Sequence, residues 1–192
     1  MLEQALDIAR SAAQEAGAAI RGFYQDEYTV RDKGEDNPLT DADLAADRIL
    51  EDRLRSAFPD YGWLSEETAD TPERLKKSHV WIVDPLDGTR EFTMGIPEFV
   101  VSVGLVIDGR AQLGVLYNPI KEQLFEGIVG HGAKLNGETI QVTNHAKLQG
   151  SRVVCSRTEM KKGWFDDFMD VLTPLPVGSV AYKFGLVAAG QA

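Results

Sequence analysis

Asp84-Pro85-Leu86-Asp87-Gly88-Thr89 gathers more chemistry-bearing groups than any other stretch of the chain. An apolar run, Val80 to Val83, delivers Asp84 at its end, and Pro85 restricts the backbone behind it. Asp87 then stands three residues beyond Asp84. Such a turn can aim both carboxylates and the Leu86 carbonyl at one point, and hard oxygens grouped this way suit Mg²⁺. Gly88 lets a ligand approach the backbone closely. Thr89 adds a hydroxyl and a backbone N–H, and a helix starting there would place an anion site beside the cation site. The same letters also describe an ordinary Pro-x-Asp-Gly turn leaving a strand with solvated carboxylates.

Three further groups are unremarkable singly. Glu66-Glu67 follows a short apolar run, where paired acids are usually surface. Asp43 suits the first turn of a helix capped by Thr40. Lys33 reads as an exposed loop lysine.

Taken together, these residues resemble the inositol monophosphatase superfamily, whose hallmark reads Asp-Pro-(Ile/Leu/Val)-Asp-Gly-Thr. Glu66-Glu67 sits at that family's Gly-Glu-Glu motif, with Ser65 replacing the glycine. Phe92, Gly95, Pro97, Ser102, Gly114-Val115, Gly132-Ala133, Asn136-Gly137 and the stretch from Gly178-Ser179 to Gly190 continue the similarity.

The resemblance implies an α/β fold, the layered αβαβα sandwich of the inositol monophosphatase and fructose-1,6-bisphosphatase type. It covers one region, 1–192, with an N-terminal part to about 150 and the start of a C-terminal part beyond. It implies a Mg²⁺-dependent, lithium-sensitive phosphomonoesterase in which a metal-activated water attacks phosphorus directly, with about two or three Mg²⁺ ions. By position, Glu66, Asp84, the Leu86 carbonyl and Asp87 are the implied metal ligands. Asp43, Thr89 and Glu66 are the implied catalytic residues, and Gly88, Thr89 and Lys33 the implied substrate contacts. Glu67 is implied to reach a metal through water. The spacing differs from the Asp-x-Asp-x-Thr of haloacid-dehalogenase-type phosphatases, because Pro85 intervenes and the acids stand three apart.

Besides Ser65, the match departs from the family in two places. Relatives continue into a Trp-Asp motif whose aspartate binds the second metal, and no residue here matches it; the expected sandwich therefore lacks its C-terminal part. In place of Asn-Phe-x-His-Gly stands Glu91-Phe92-Thr93-Met94-Gly95. Arg90-Glu91-Phe92 is closer to the Lys-Glu-Phe of the 3′(2′),5′-bisphosphate nucleotidase branch, and Ser156-Arg157 is similar to that branch's Ser-Arg. Tyr117-Asn118-Pro119 points instead to inositol- and histidinol-phosphatase-like members. The expected substrate is a small phosphate ester, a nucleotide bisphosphate ahead of an inositol phosphate. The alternatives are a histidinol phosphate, or a non-catalytic metal-binding scaffold.

Composition sets outer limits. Asp and Glu total 30 against 20 Lys and Arg, a formal charge of −10 over 192 residues. That balance speaks against a nucleic-acid polymer as partner. Fifteen of the acids lie between Asp26 and Glu73, half the total in about a quarter of the chain. Most read as a solvated face. Cys155 is the only cysteine, which excludes an internal disulfide and multi-cysteine zinc sites, and it reads as a core thiol. His79, His131 and His145 lack ligand spacing, and Trp63, Trp81 and Trp164 read as packing residues. With no leader pattern and no long apolar run, a cytoplasmic location away from membranes is expected. The family also implies a possible homodimer.

The elements that must position these groups follow from periodicity. Leu2 to Phe23 carries an alanine-rich stripe at helical spacing. Tyr28–Asp32 reads as extended and Lys33–Pro38 as a loop. A helix capped by Thr40 runs to Phe58, where Pro59 stops it, and a short run at Tyr61–Ser65 leads into a polar loop over Thr68–Ser78. Strands are predicted at His79–Asp84, Phe99–Ile107, Ala111–Tyr117, Gln123–Ile128, Lys134–Leu135, Thr139–Val142 and Arg152–Ser156, with Asp108-Gly109 and Asn136-Gly137 as hairpin turns. Helices are predicted at Glu159–Leu172 and Ser179–Ala189.

Overall fold

The computed structural model describes residues 1–32 and 38–192. Helix α1 (Leu2–Phe23) buries Ala5, Ala9, Ala12, Ala13, Ala16, Gly17 and Ile20 along one side. Side chains this small bring its backbone close to its neighbours. At Gly17 even a methyl would stand 2.6 Å from the Tyr117 ring. A hairpin of β1 (Val30–Asp32) and β2 (Pro38–Thr40) leads into helix α2 (Asp41–Ala57). Thr40 caps α2, as its type predicts. Its hydroxyl accepts from Ala42 N at 3.2 Å, while the Asp43 carboxylate accepts from Thr40 N at 2.8 Å.

Next come β3 (Gly62–Ser65), a 3₁₀ turn at Pro72–Lys76, β4 (His79–Asp87) and the short helix α3 (Thr89–Thr93). Strands β5 (Val100–Ile107), β6 (Arg110–Asn118), β7 (Gln123–Ile128), β8 (Gly132–Leu135) and β9 (Glu138–Ile140) form an antiparallel meander. Strands β3 to β9 make one seven-stranded sheet in chain order, in which only β3 and β4 are parallel. Asp108-Gly109 and Asn136-Gly137 have positive φ at both positions, the conformation that tight hairpins require.

The two faces of the sheet hold two cores. Val101, Val103 and Leu105 face α1 and α2 and pack with Leu50, Leu54, Trp81 and the alanine stripe. Val100 points the other way, to Phe125, Val177, Tyr182 and Leu186. This second core lies under α5 (Val180–Ala188) and a two-stranded parallel sheet, β10 (Ser151–Cys155) and β11 (Leu172–Pro176). The period-two alternation along β5 thus decides which layer each side chain joins. Cys155 is buried, as expected, and burial pushes its thiol pKa up. No helix among the described residues is long and apolar enough to cross a membrane.

Three expectations need correction. The helix predicted over Glu159–Leu172 is instead α4 (Arg157–Lys161), a 3₁₀ turn at Asp166–Phe168, and the strand β11. Gly163 at φ 71° ends the helical run. Trp164, Phe168 and Met169 are 60%, 45% and 51% exposed, so no buried face supports a longer helix. Trp164 therefore does not pack in a core; its ring lies under Lys162 Nζ, 5.4 Å from the centroid. Second, β11 escaped notice because Pro174 and Pro176 argue against a strand. They are tolerated because Val177 N donates to Cys155 O. The odd-numbered amides therefore face β10, and the prolines' missing donors face away from it. Third, Pro38 belongs to β2, paired with Asp32. Lys33, the implied substrate contact, lies outside the described residues.

Candidate active site

The register between β3 and β4 explains why Glu66 and Asp84 meet. Ser65 pairs with Val83, and Glu66 N donates to Val83 O at 3.2 Å, so the next residue of each strand falls side by side. Opposite β5, Asp84 pairs with Ser102 but Asp87 pairs with Val100. Three steps on β4 therefore oppose two on β5, a bulge that takes up Pro85 and re-aims the end of the strand. Leu86 N donates to Asp84 Oδ1 at 3.1 Å and closes the turn, while the Leu86 side chain anchors it in the core. Gly88 follows at φ 103°, and a Cβ there would stand 3.0 Å from Glu98 O and 3.1 Å from Phe99 Cβ, so a side chain would be both strained and crowded.

Helix α2 supplies two buried carboxylates one turn apart, Asp43 and Asp47, which are 1% and 7% exposed. Thr89 Oγ1 lies 2.9 Å from Asp43 Oδ1 and 3.0 Å from Leu86 O. Both are acceptors and the hydroxyl has one proton, so it serves one at a time. Burial pushes the Asp43 pKa above the usual carboxylate range, against hydrogen bonds from Thr40 and Thr89 that pull it down. Asp47 accepts from Ser65 Oγ at 2.5 Å and from Thr68 Oγ1 at 2.8 Å, so it holds the turn that presents Glu66 and Glu67 from both sides. Sequence reading passed over Asp47 as one more acid of a solvated face. The signal was its i,i+4 spacing from Asp43 on a helix whose other face is apolar.

Burial, then the charges of Asp87 and Glu66, push the Asp84 carboxyl up to about 8. Asp87 has a second set of partners. Ser179 Oγ donates to it at 2.8 Å and Ala181 N at 2.5 Å, so it caps the first turn of α5. Among the described residues no three acidic, histidine or cysteine side chains converge as a ready-made metal cage. The donors themselves fit a hard divalent cation: Glu66, Asp84, Asp87 and the Leu86 carbonyl offer only oxygen. The negative charge that crowds Asp84 is what such a cation would relieve.

Residues that suggested particular substrates have structural partners. Arg157 Nη2 donates to Glu98 Oε2 at 2.7 Å, and Arg157 Nη1 lies 3.6 Å from Glu91 Oε1. Ser156 caps α4 through Glu159 N at 3.1 Å. The two nucleotidase-like features, Glu91 and Ser156-Arg157, are thus one ion cluster and one helix cap. Asn118, from the Tyr-Asn-Pro feature, is fully buried. It donates to Pro97 O at 3.1 Å and accepts from Ile120 N and Lys121 N, holding the turn after β6.

The fold is a layered α/β sandwich that carries paired carboxylates at a strand bulge and a threonine–aspartate pair beside it. The comparisons with known proteins place this fold in a family. The model of the inositol monophosphatase family matches residues 1–192, and the chain belongs to that family. It is 43% identical over 150 residues to inositol monophosphatase 3 of Solanum lycopersicum, covering 77% of this chain and 56% of that protein. It is 30% identical over 196 residues to Nus factor SuhB of Escherichia coli K12, covering 97% of this chain and 73% of that protein. Its fold is similar to that of the IMPase from Thermotoga maritima, with a TM-score of 0.88 and 27% identity over 97% of this chain and 73% of that one. The chain spans little more than half the length of the tomato relative.

Proposed function

We propose that this chain forms the catalytic face of a Mg²⁺-dependent phosphomonoesterase acting on a small phosphate ester. The observation that carries this reading is the placement of Asp84, the Leu86 carbonyl and Asp87 on one bulged strand end, with the Thr89 hydroxyl 2.9 Å from Asp43 beside them. In this reading Glu66, Asp84, Asp87 and the Leu86 carbonyl would hold Mg²⁺. Bound Mg²⁺ supplies Lewis-acid polarisation of the phosphoryl group and acidifies water. The chain's own groups do the remainder. Asp43, ionised, accepts the Thr89 proton, which leaves the Thr89 oxygen free to accept from an incoming water and orient it. In this reading the backbone N–H groups of Gly88 and Thr89 would donate to the phosphoryl oxygens and stabilise the charge that builds there. Lys33, outside the described residues, is carried over from the family resemblance alone as a substrate contact.

Among substrates, an inositol phosphate is favoured over a nucleotide bisphosphate, because Glu91 and Arg157 are committed to each other and to Glu98. Release of phosphate from inositol 1-phosphate, 3′-phosphoadenosine 5′-phosphate, histidinol phosphate and fructose 1,6-bisphosphate, each with Mg²⁺ and with EDTA, tests this. Mg²⁺-dependent turnover highest on inositol 1-phosphate supports it, and turnover confined to the nucleotide would reassign the substrate.

A second reading, a non-catalytic scaffold, draws on the Asp87 contacts to α5 and on the similarity to a protein named as a Nus factor. It expects Mg²⁺ to raise the melting temperature with no turnover on any of the four esters.

A further inference from the structure

We propose that Arg157, with Glu91 and Glu98, is a positioning unit that holds the first turn of α5 against Asp87. The cluster bridges two regions far apart in sequence. Glu91 lies on α3 and Glu98 just before β5, both on the segment that follows Asp87, whereas Arg157 opens α4 beyond β10. Arg157 Nη2 donates to Glu98 Oε2 at 2.7 Å. The same oxygen accepts from Gly178 N at 3.3 Å. The Glu91 carboxyl fills the space beside Gly178 so completely that a methyl on residue 178 would stand 1.8 Å from its Cδ. The next residue, Ser179, donates its hydroxyl to Asp87 at 2.8 Å, and Tyr182 N donates to that hydroxyl at 3.0 Å. The chain of contacts thus runs from Arg157 through Glu98 and Gly178 to Ser179 and Asp87.

Charge explains why Arg157 is the keystone. Two carboxylates share one guanidinium, and Arg157 Nη1, buried and with no hydrogen-bond partner among the described residues, lies 3.6 Å from Glu91 Oε1. Glu91 is 9% exposed. Without the arginine, two part-buried carboxylates repel each other and the Gly178 anchor loosens. These residues touch no reacting atom; they act through Ser179 and Ala181 on the orientation of Asp87. A plain fold staple differs, because its loss would weaken the whole molecule evenly.

Hydrogen exchange on the intact chain separates the two. In Arg157→Met, exchange at Ala181 and Tyr182 should rise about tenfold or more while Val103 and Val115 in the central sheet keep their protection. Arg157→Lys, which keeps the charge and loses the fork, should restore part of that protection. If Arg157→Met does not fold, Glu98→Gln gives the same readout with a near-isosteric change. Unchanged exchange at Ala181 and Tyr182, or a rise matched at Val103, overturns the proposal.

The cation consequence rests on the phosphatase reading, and the exchange result does not. Mg²⁺ affinity, read as the concentration that half-saturates the thermal shift, should weaken about fivefold or more in a variant with loosened α5 amides. Loosened amides with unchanged Mg²⁺ affinity would refute the link to Asp87. A wild-type chain with no Mg²⁺ response would refute the phosphatase reading, and the exchange data would still decide the positioning.

Discussion

Thr89 and Asp43 stand 46 residues apart in sequence and 2.9 Å apart in space, so the one hydroxyl proton of Thr89 is shared between Asp43 and the Leu86 carbonyl 3.0 Å away. The contact links the end of β4 to the start of α2. If it orients the attacking water, Thr89→Ala should lower kcat about 10²- to 10⁴-fold with little change in KM, and Thr89→Ser should retain most of the rate. Steady-state kinetics on the preferred ester checks this; equal losses in both variants would show that the methyl group, not the hydroxyl, is what matters.

The acid limb of the pH–rate profile should report Asp43. Its folded pKa is raised, burial being the largest cause, and the ionised form is the one that can accept the Thr89 proton. The rate should therefore fall as pH drops through that raised value. Thr40 pulls the pKa down through its hydroxyl and its backbone N–H. Thr40→Val removes the hydroxyl and should move the acid limb to higher pH. Loss of the α2 cap should also cost about 1 kcal/mol of stability in urea denaturation. An acid limb unmoved in Thr40→Val would mean that another group sets it.

Asp47 should matter more than its place in an acidic run suggests. It ties both Ser65 and Thr68 to α2. Asp47→Ala strands two hydroxyls and should destabilise the chain by about 1–3 kcal/mol. It should also raise the Mg²⁺ concentration needed for half-maximal activity, because the turn presenting Glu66 is no longer held. Asp47→Asn, which keeps acceptor capacity, should be milder in both measurements.

Gly178 and Glu91 should show strong energetic coupling. Gly178→Ala places a methyl in the volume of the Glu91 carboxyl, an overpacking worth about 1–3 kcal/mol. In the double variant Gly178→Ala, Glu91→Ala the clash is gone, so the combined loss should be smaller than the sum of the single ones. Additive losses by denaturation would contradict the packing described for this corner.

Much of this fold was readable in the sequence because local and tertiary signals agree. The alanine stripe of α1, the Thr40–Asp43 capping box and the Asp-Gly and Asn-Gly turns each have one favoured conformation, and the sheet uses all of them. The segment after Cys155 was misread because Trp164, Phe168 and Met169 have helical spacing, yet they find no surface to bury against. In the candidate site the motif residues on β4 were legible because their spacing puts them at one strand end, whereas Asp43 on α2 entered only through the family resemblance. What spacing does not carry is partnership. Nothing local to Asp87 announces Ser179, and Glu91 and Arg157 look like separate substrate signatures until the fold sets them against each other.

The most direct measurement is phosphate release from inositol 1-phosphate by the wild-type chain and by Asp84→Asn, each titrated with Mg²⁺. The expected result is turnover that needs Mg²⁺, disappears with EDTA, and falls at least about 100-fold in Asp84→Asn. Turnover that ignores Mg²⁺, or survives Asp84→Asn intact, would contradict a cation-assisted phosphatase centred on this strand end.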